Sequence, residues 1–352
     1  MKNTAFILSA VFVVAGIFIS FNTSAQTAKP SPTPVPAVSP TPKPTEEEII
    51  KIDTELVNLD VRVVDRNNRP INTLQEKDFK VYEDGAVQQI DFFSKSEVPT
   101  NYGLVIDNSG SLRSQLDKVI EAGKVFVSGN RADDETMIIR FVGRDKIEIE
   151  QNFTQNKTDL NDALDNLYIE GGQTAIRDAV YLAVENIDEY ERGKAFEDKK
   201  RRALILVTDG EDRNSYYLEK QLFELLRESE VQIYVIGFVD DLPKEGGFIS
   251  KSPQAKAKEF LERLAAETGG KAYFPKSAAE LPGLAREISS ELRTQYSIGY
   301  IPSNDRKDGT YRAIKVSVPD GPNGQKRIAI TRAGRKAEAA GTTPAPSPTP
   351  KQ

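Results

Sequence analysis

The chain has no cysteine, no histidine and no tryptophan among its 352 residues. Without histidine there is no imidazole base, no Ser-His-Asp triad and no His-ligated metal. Without cysteine there are no thiol nucleophiles, thiolate zinc sites, disulfides or c-type haem attachments, and the redox compartment is left open. Ser-x-x-Lys does not occur, nor does the Gly-x-x-x-x-Gly-Lys-Ser/Thr loop of nucleotide-binding enzymes. Basic residues are also in short supply. Lys and Arg number 47 against 53 Asp and Glu, a net charge of −6. A mildly acidic chain lacks the dense basic face that nucleic-acid binding needs.

What is present divides the chain into segments. Lys2, the uncharged apolar run Ala5–Phe21 and the small residues Thr23-Ser24-Ala25 read as a secretory signal over residues 1–25. The expected location is therefore periplasm, cell surface or medium, with no membrane span in the mature protein unless the leader stays uncleaved. Residues 26–48 carry seven prolines, Pro30 to Pro44, and residues 337–352 repeat that composition, so both read as extended, coreless spacers. Residues 49–98 alternate as strands around Glu83-Asp84-Gly85, a hairpin turn signal. From residue 99 to 294 short apolar runs alternate with amphipathic helices, Ile176, Ala179, Val180, Ala183, Val184 and Ile187 among them. Such alternation predicts an α/β fold with a Rossmann-like, doubly wound and mostly parallel sheet. Residues 295–336 return to strands, expected to pack with the N-terminal ones as a smaller β domain.

Three loops follow or face sheet strands: Asp107-Asn108-Ser109-Gly110-Ser111, Gly171-Gly172-Gln173-Thr174 and Thr208-Asp209-Gly210. Beyond the carboxyl ends of parallel strands such loops converge where the strand order reverses. They offer carboxylates and hydroxyls only. Hard oxygens of that kind suit Mg²⁺ or Mn²⁺, and Ca²⁺ less well. Taken singly, each loop is also what a helix cap or an Asp-Gly turn looks like.

Together, Asp107-x-Ser109-x-Ser111, Thr174 and Asp209 resemble the metal-ion-dependent adhesion site of von Willebrand factor type A domains. Gly171–Ala179, Thr208–Asp212 and Tyr234-Val235-Ile236-Gly237 are similar to the same family. Asp78–Gly85 and Tyr296–Tyr300 resemble an exported acidobacterial subgroup of it. The resemblance implies that Ser109 and Ser111 bind a divalent cation directly, and Thr174 directly or through water. Asp107 and Asp209 would act largely through waters or the serines. A partner protein's Asp or Glu would complete the coordination, making the chain a non-enzymatic, adhesion-type binding module. The alternative is a cell-envelope scaffold whose metal site is structural or idle. Asp178 reads as a support for the site or a solvated helix acid, and Glu211 and Asp212 as a possible helix start.

Overall fold

The computed structural model describes residues 56–194, 200–246 and 251–339. The expected signal sequence, the proline-rich linker and the proline-rich end of the tail lie outside these residues. Contacts divide the chain into Met1–Ile52 and Asp53–Gln352, and the described residues all belong to the second unit.

The chain enters through β1 (Val57–Val64), β2 (Lys80–Glu83), β3 (Ala86–Gln88) and β4 (Phe92–Ser94). Asp84 and Gly85 both take positive φ, 48° and 83°, which a two-residue turn between β2 and β3 requires. The expected hairpin is thus present, but its second arm is Ala86–Gln88. Phe92 and Phe93 instead cross to the other sheet, where Asp91 N donates to Gly299 O at 2.9 Å.

Next come β5 (Thr100–Asp107), α1 (Leu116–Gly129), β6 (Glu135–Phe141), β7 (Ile147–Thr154), α2 (Lys157–Asp165) and α3 (Ile176–Glu191). They are followed by β8 (Arg201–Thr208), α4 (Glu219–Glu228), β9 (Gln232–Gly237), α5 (Pro253–Thr268), β10 (Ala272–Tyr273) and α6 (Leu281–Arg293). The strand order is β10-β9-β8-β5-β6-β7, parallel except for the antiparallel edge β7. Alternate side chains of one strand feed opposite cores. Leu104 and Ile106 pack with α1, α2 and α6, whereas Val105 packs with α3 and its neighbours. Because both faces are covered, β5 is buried at every position.

The chain ends in β11 (Tyr296–Tyr300), β12 (Tyr311–Ser317), β13 (Ile328–Ile330) and β14 (Gly334–Lys336). Two antiparallel sheets, β13-β1-β11-β4 and β14-β12-β2-β3, combine both flanks and enclose one core that includes Leu59, Val81, Tyr296 and Ile314. The flanks therefore form a sandwich together. Ordered structure also runs past residue 336: Ala337 is buried, and its N donates to Thr310 O at 2.9 Å. The expected tail thus begins later than residue 337, because backbone pairing to the 308–310 turn holds the chain.

Candidate metal centre

Strand β5 lies between β8 and β6; the chain leaves it for β6 on one side and returns to β8 on the other. That puts the ends of β5 and β8 side by side at the switch point. Asp107 closes β5 with no exposed surface. Both of its oxygens are engaged. Oδ1 accepts from Ser109 N at 2.9 Å, and Oδ2 from Thr208 Oγ1 at 2.8 Å. Ser109 is buried and Ser111 exposed, in a 3₁₀ turn that precedes α1, and their hydroxyl oxygens sit 2.7 Å apart.

The second loop is fastened to the first by Glu170 N donating to Asn108 O at 2.9 Å, and by Asn108 Nδ2 donating to Tyr168 O at 2.6 Å. Ala175 N is held by Val142 O at 2.9 Å. Gly172 is needed for this approach, since a Cβ there would meet Val142 Cγ1 at 2.4 Å. Thr174 is buried, and its carbonyl accepts from Arg213 N at 2.8 Å and Asn214 N at 3.1 Å. Those two bonds tie it to the third loop. There Asp209 is buried and its Oδ1 accepts from Glu211 N at 3.0 Å. Gly210 follows at φ 86°, with Ala257 and Leu261 where a Cβ would stand.

Asp107, Ser109 and Ser111 thus form one hydrogen-bonded run, and Asp209 approaches closely enough to act on Asp107 by charge. Burial pushes the Asp107 carboxyl up to about 6, and the negative charge of Asp209 adds to the effect. Thr174 joins them through its backbone. A hollow of ≈ 450 Å³ opens beside Gly210, with Arg177, Arg213, Lys256 and Phe260 on its walls.

Residues that the motif leaves unnamed hold this arrangement. Thr208 takes part in both neighbouring loops, donating to Asp107 and accepting from Gly210 N at 3.1 Å. Its position directly before Asp209, at the end of a buried strand, was the available signal. Asp178 is not a solvated helix acid. It is buried and accepts from Tyr216 N at 2.7 Å and Tyr217 N at 2.8 Å, pinning the far end of the third loop to α3. Glu211 and Asp212 do not start a helix, because α4 begins only at Glu219. Asp212 instead accepts from Arg177 N at 2.8 Å and pairs with the Arg177 guanidinium, capping the first turn of α3 from another loop.

Among the described residues no group of three or more His, Cys, Asp or Glu is arranged to hold a metal. The five-residue site has two carboxylates and three hydroxyls. This donor set fits a hard divalent cation that keeps much of its charge, and the facing carboxylates of Asp107 and Asp209 are the groups such a charge would relieve.

Comparison with known proteins gives the same family. The von Willebrand factor type A domain profile matches residues 103–287. An uncharacterized protein of Synechocystis sp. is 34% identical over 118 residues, which cover 33% of this chain and 26% of that protein. Inter-alpha-trypsin inhibitor heavy chain H4 of Sus scrofa is 24% identical over 59% of this chain and 22% of its own length. The matches thus span about a quarter of these curated relatives. The solved von Willebrand factor type A structure from Catenulispora acidiphila aligns over 82% of this chain and 75% of its own, at 12% identity and a TM-score of 0.45. With the profile spanning more than half of the sequence, the chain belongs to the von Willebrand factor type A domain family.

Proposed function

We propose that the chain is an exported, non-enzymatic binding module in which Asp107, Ser109, Ser111, Thr174 and Asp209 hold Mg²⁺ or Mn²⁺. A partner protein completes the coordination with an Asp or Glu side chain. One observation carries this reading. The five residues include two carboxylates, and both oxygens of one of them, Asp107, are already committed to Ser109 and Thr208. A cation held largely by hydroxyls and water keeps positive charge and an exchangeable position, which is what an acidic side chain of a partner can fill. The absence of histidine and cysteine supports the non-enzymatic part, since most nucleophile-base pairs cannot be assembled. Export rests on the leader sequence. Among the described residues no helix is long and apolar enough to cross a membrane.

The test is calorimetric titration of the wild type and Asp209→Ala with MnCl₂, followed by affinity capture from an envelope fraction in Mg²⁺ and in EDTA. The wild type should bind metal with modest affinity and capture partners only in Mg²⁺, and the variant should do neither while unfolding cooperatively. Equal heats from both proteins, or capture that ignores EDTA, would favour the scaffold alternative. N-terminal sequencing of the native protein should begin near Gln26; a full-length cytosolic chain would contradict export.

A further inference from the structure

A cavity that the candidate metal centre does not use lies at the other end of the central sheet. It has ≈ 330 Å³ of space and sits where β1 and β11 of the sandwich meet the first residues of β8 and β9. That volume falls at the lower end of the roughly 300–1,000 Å³ of small-molecule sites. Its wall is mostly apolar, with Leu59, Phe92, Val98, Leu226 and Val231 contributing, and Phe92 partly open to solvent.

Four cations line it: Lys200, Arg201, Arg202 and Arg332. Three of them have carboxylates of their own. Lys200 pairs with Glu135 at 2.9 Å, Arg201 with Asp60 at 2.9 Å, and Arg202 with Asp188 at 2.8 Å and with Glu230. Arg332 has none among the described residues. Its Nε donates to Gly334 O and its Nη2 to Arg227 O, each at 2.8 Å, and Nη1 has no acceptor among the described residues. Burial holds this guanidinium below the ordinary arginine value; the charge of Glu230, on the same cavity wall, opposes that, and Arg202 and Arg335 add to it. Its backbone is fixed as well. Thr331 Oγ1 donates to Asp60 O at 2.9 Å, and Ala333 N to Glu267 O at 3.0 Å. The segment crosses so close to Gly269 that a Cβ there would meet Thr331 C at 2.6 Å.

A half-buried guanidinium with no direct ion pair among the described residues is costly unless an anion joins it, and its planar fork suits a carboxylate. We propose that this cavity is a binding site for an organic carboxylate whose charged end pairs with Arg332 and whose apolar body lies against Val98, Leu226 and Val231. At about 30 Å³ for each non-hydrogen atom the space takes roughly ten of them, the size of octanoate. The site is independent of the metal reading, because it uses the opposite ends of the strands.

The experiment is calorimetric titration of the full chain, in EDTA, with octanoate, octanol and octylammonium. Octanoate should bind and raise the thermal midpoint, while the other two do neither. Arg332→Gln should weaken octanoate at least tenfold, in keeping with loss of a charge-assisted pair. Val98→Trp, which fills the apolar side without changing charge, should weaken it too. If Arg332→Gln fails to fold, Val98→Trp decides: lost binding with an unchanged midpoint supports the site, retained binding overturns it. No octanoate binding by the wild type at millimolar concentration, equal binding to Arg332→Gln, or octylammonium binding as tightly as octanoate would each overturn it.

Discussion

Replacing Arg62 with methionine should destabilise the protein by about 3 kcal/mol, and replacing Glu291 with leucine as well should restore most of the loss. Arg62 lies on β1 of the sandwich and Glu291 on α6 of the α/β unit, and their side chains are each 4% exposed. The pair is therefore desolvated, and its attraction is set against that cost. Removing only the guanidinium strands a buried carboxylate, for which about 3–5 kcal/mol is usual. The lower end applies here because Tyr273 Oη at 3.3 Å and Lys271 Nζ at 3.8 Å still reach Glu291. Removing both charges leaves two apolar side chains of similar reach in a dry seam, which is nearly neutral. Urea unfolding followed by far-UV circular dichroism measures all three variants, and the double-mutant cycle isolates the coupling. A single variant that costs under about 1 kcal/mol, or a double variant as poor as the sum of the singles, would refute the claim that this pair clamps the sandwich to α6.

Four further outcomes follow from the same structure. Asp178→Ala removes the acceptor of Tyr216 N and Tyr217 N, so it should cost about 2–3 kcal/mol in urea unfolding and weaken Mn²⁺ binding without touching a proposed ligand. Gly283→Ala in α6, where a Cβ meets nothing within 4 Å, should gain about 0.5–1 kcal/mol. Gly270→Ala, where it would meet Ile233 O at 2.0 Å, should lower the thermal midpoint sharply. Burial pushes the phenols of Tyr102, Tyr190 and Tyr217 up to about 12. Between about pH 10 and 12 the unfolded chain loses protons that the folded chain keeps, so stability should fall as pH rises through that window. An alkaline absorbance titration should show delayed ionisation that becomes ordinary in urea.

The α/β unit was legible because burial on both faces writes itself as apolar runs, as in Tyr102–Ile106 and Ala203–Val207. Where the pattern is diluted it was missed. Strand β7 is a half-exposed edge with Glu148 and Glu150 facing Arg140, and α2 is short, although Asn156 accepting from Thr158 N at 3.0 Å is an ordinary cap. Strand β14 has three residues and pairs only with β12. At the candidate site, residue types and order named five side chains that the structure places on neighbouring, hydrogen-bonded loops, and offered a supporting role for Asp178 as one of two readings, but did not name Thr208 or Asp212 as supports. Thr208, Asp178 and Asp212 act across 101, 38 and 35 residues of sequence, as acceptors or donors to other loops. Apart from the place of Thr208 at the end of a buried strand, nothing local distinguishes them from an ordinary threonine or a solvated aspartate.

The two candidate sites share strands but not a mechanism. Strand β8 starts at Arg201, which lines the same cavity as Arg332, and ends at Thr208, beside Asp209. Seven steps of about 3.3 Å separate its ends by roughly 23 Å. Between them every position but Arg202 is buried, and the strand is paired on both sides. A strand so enclosed does not slide in small steps, since each residue of register would turn its apolar face into the wrong core. Metal at one end and carboxylate at the other should therefore bind additively. A titration of octanoate in saturating Mn²⁺ should give the same affinity as in EDTA. A difference beyond about threefold, some 0.7 kcal/mol of coupling, would mean that the sheet or the loops around it have a second arrangement which both ligands bias.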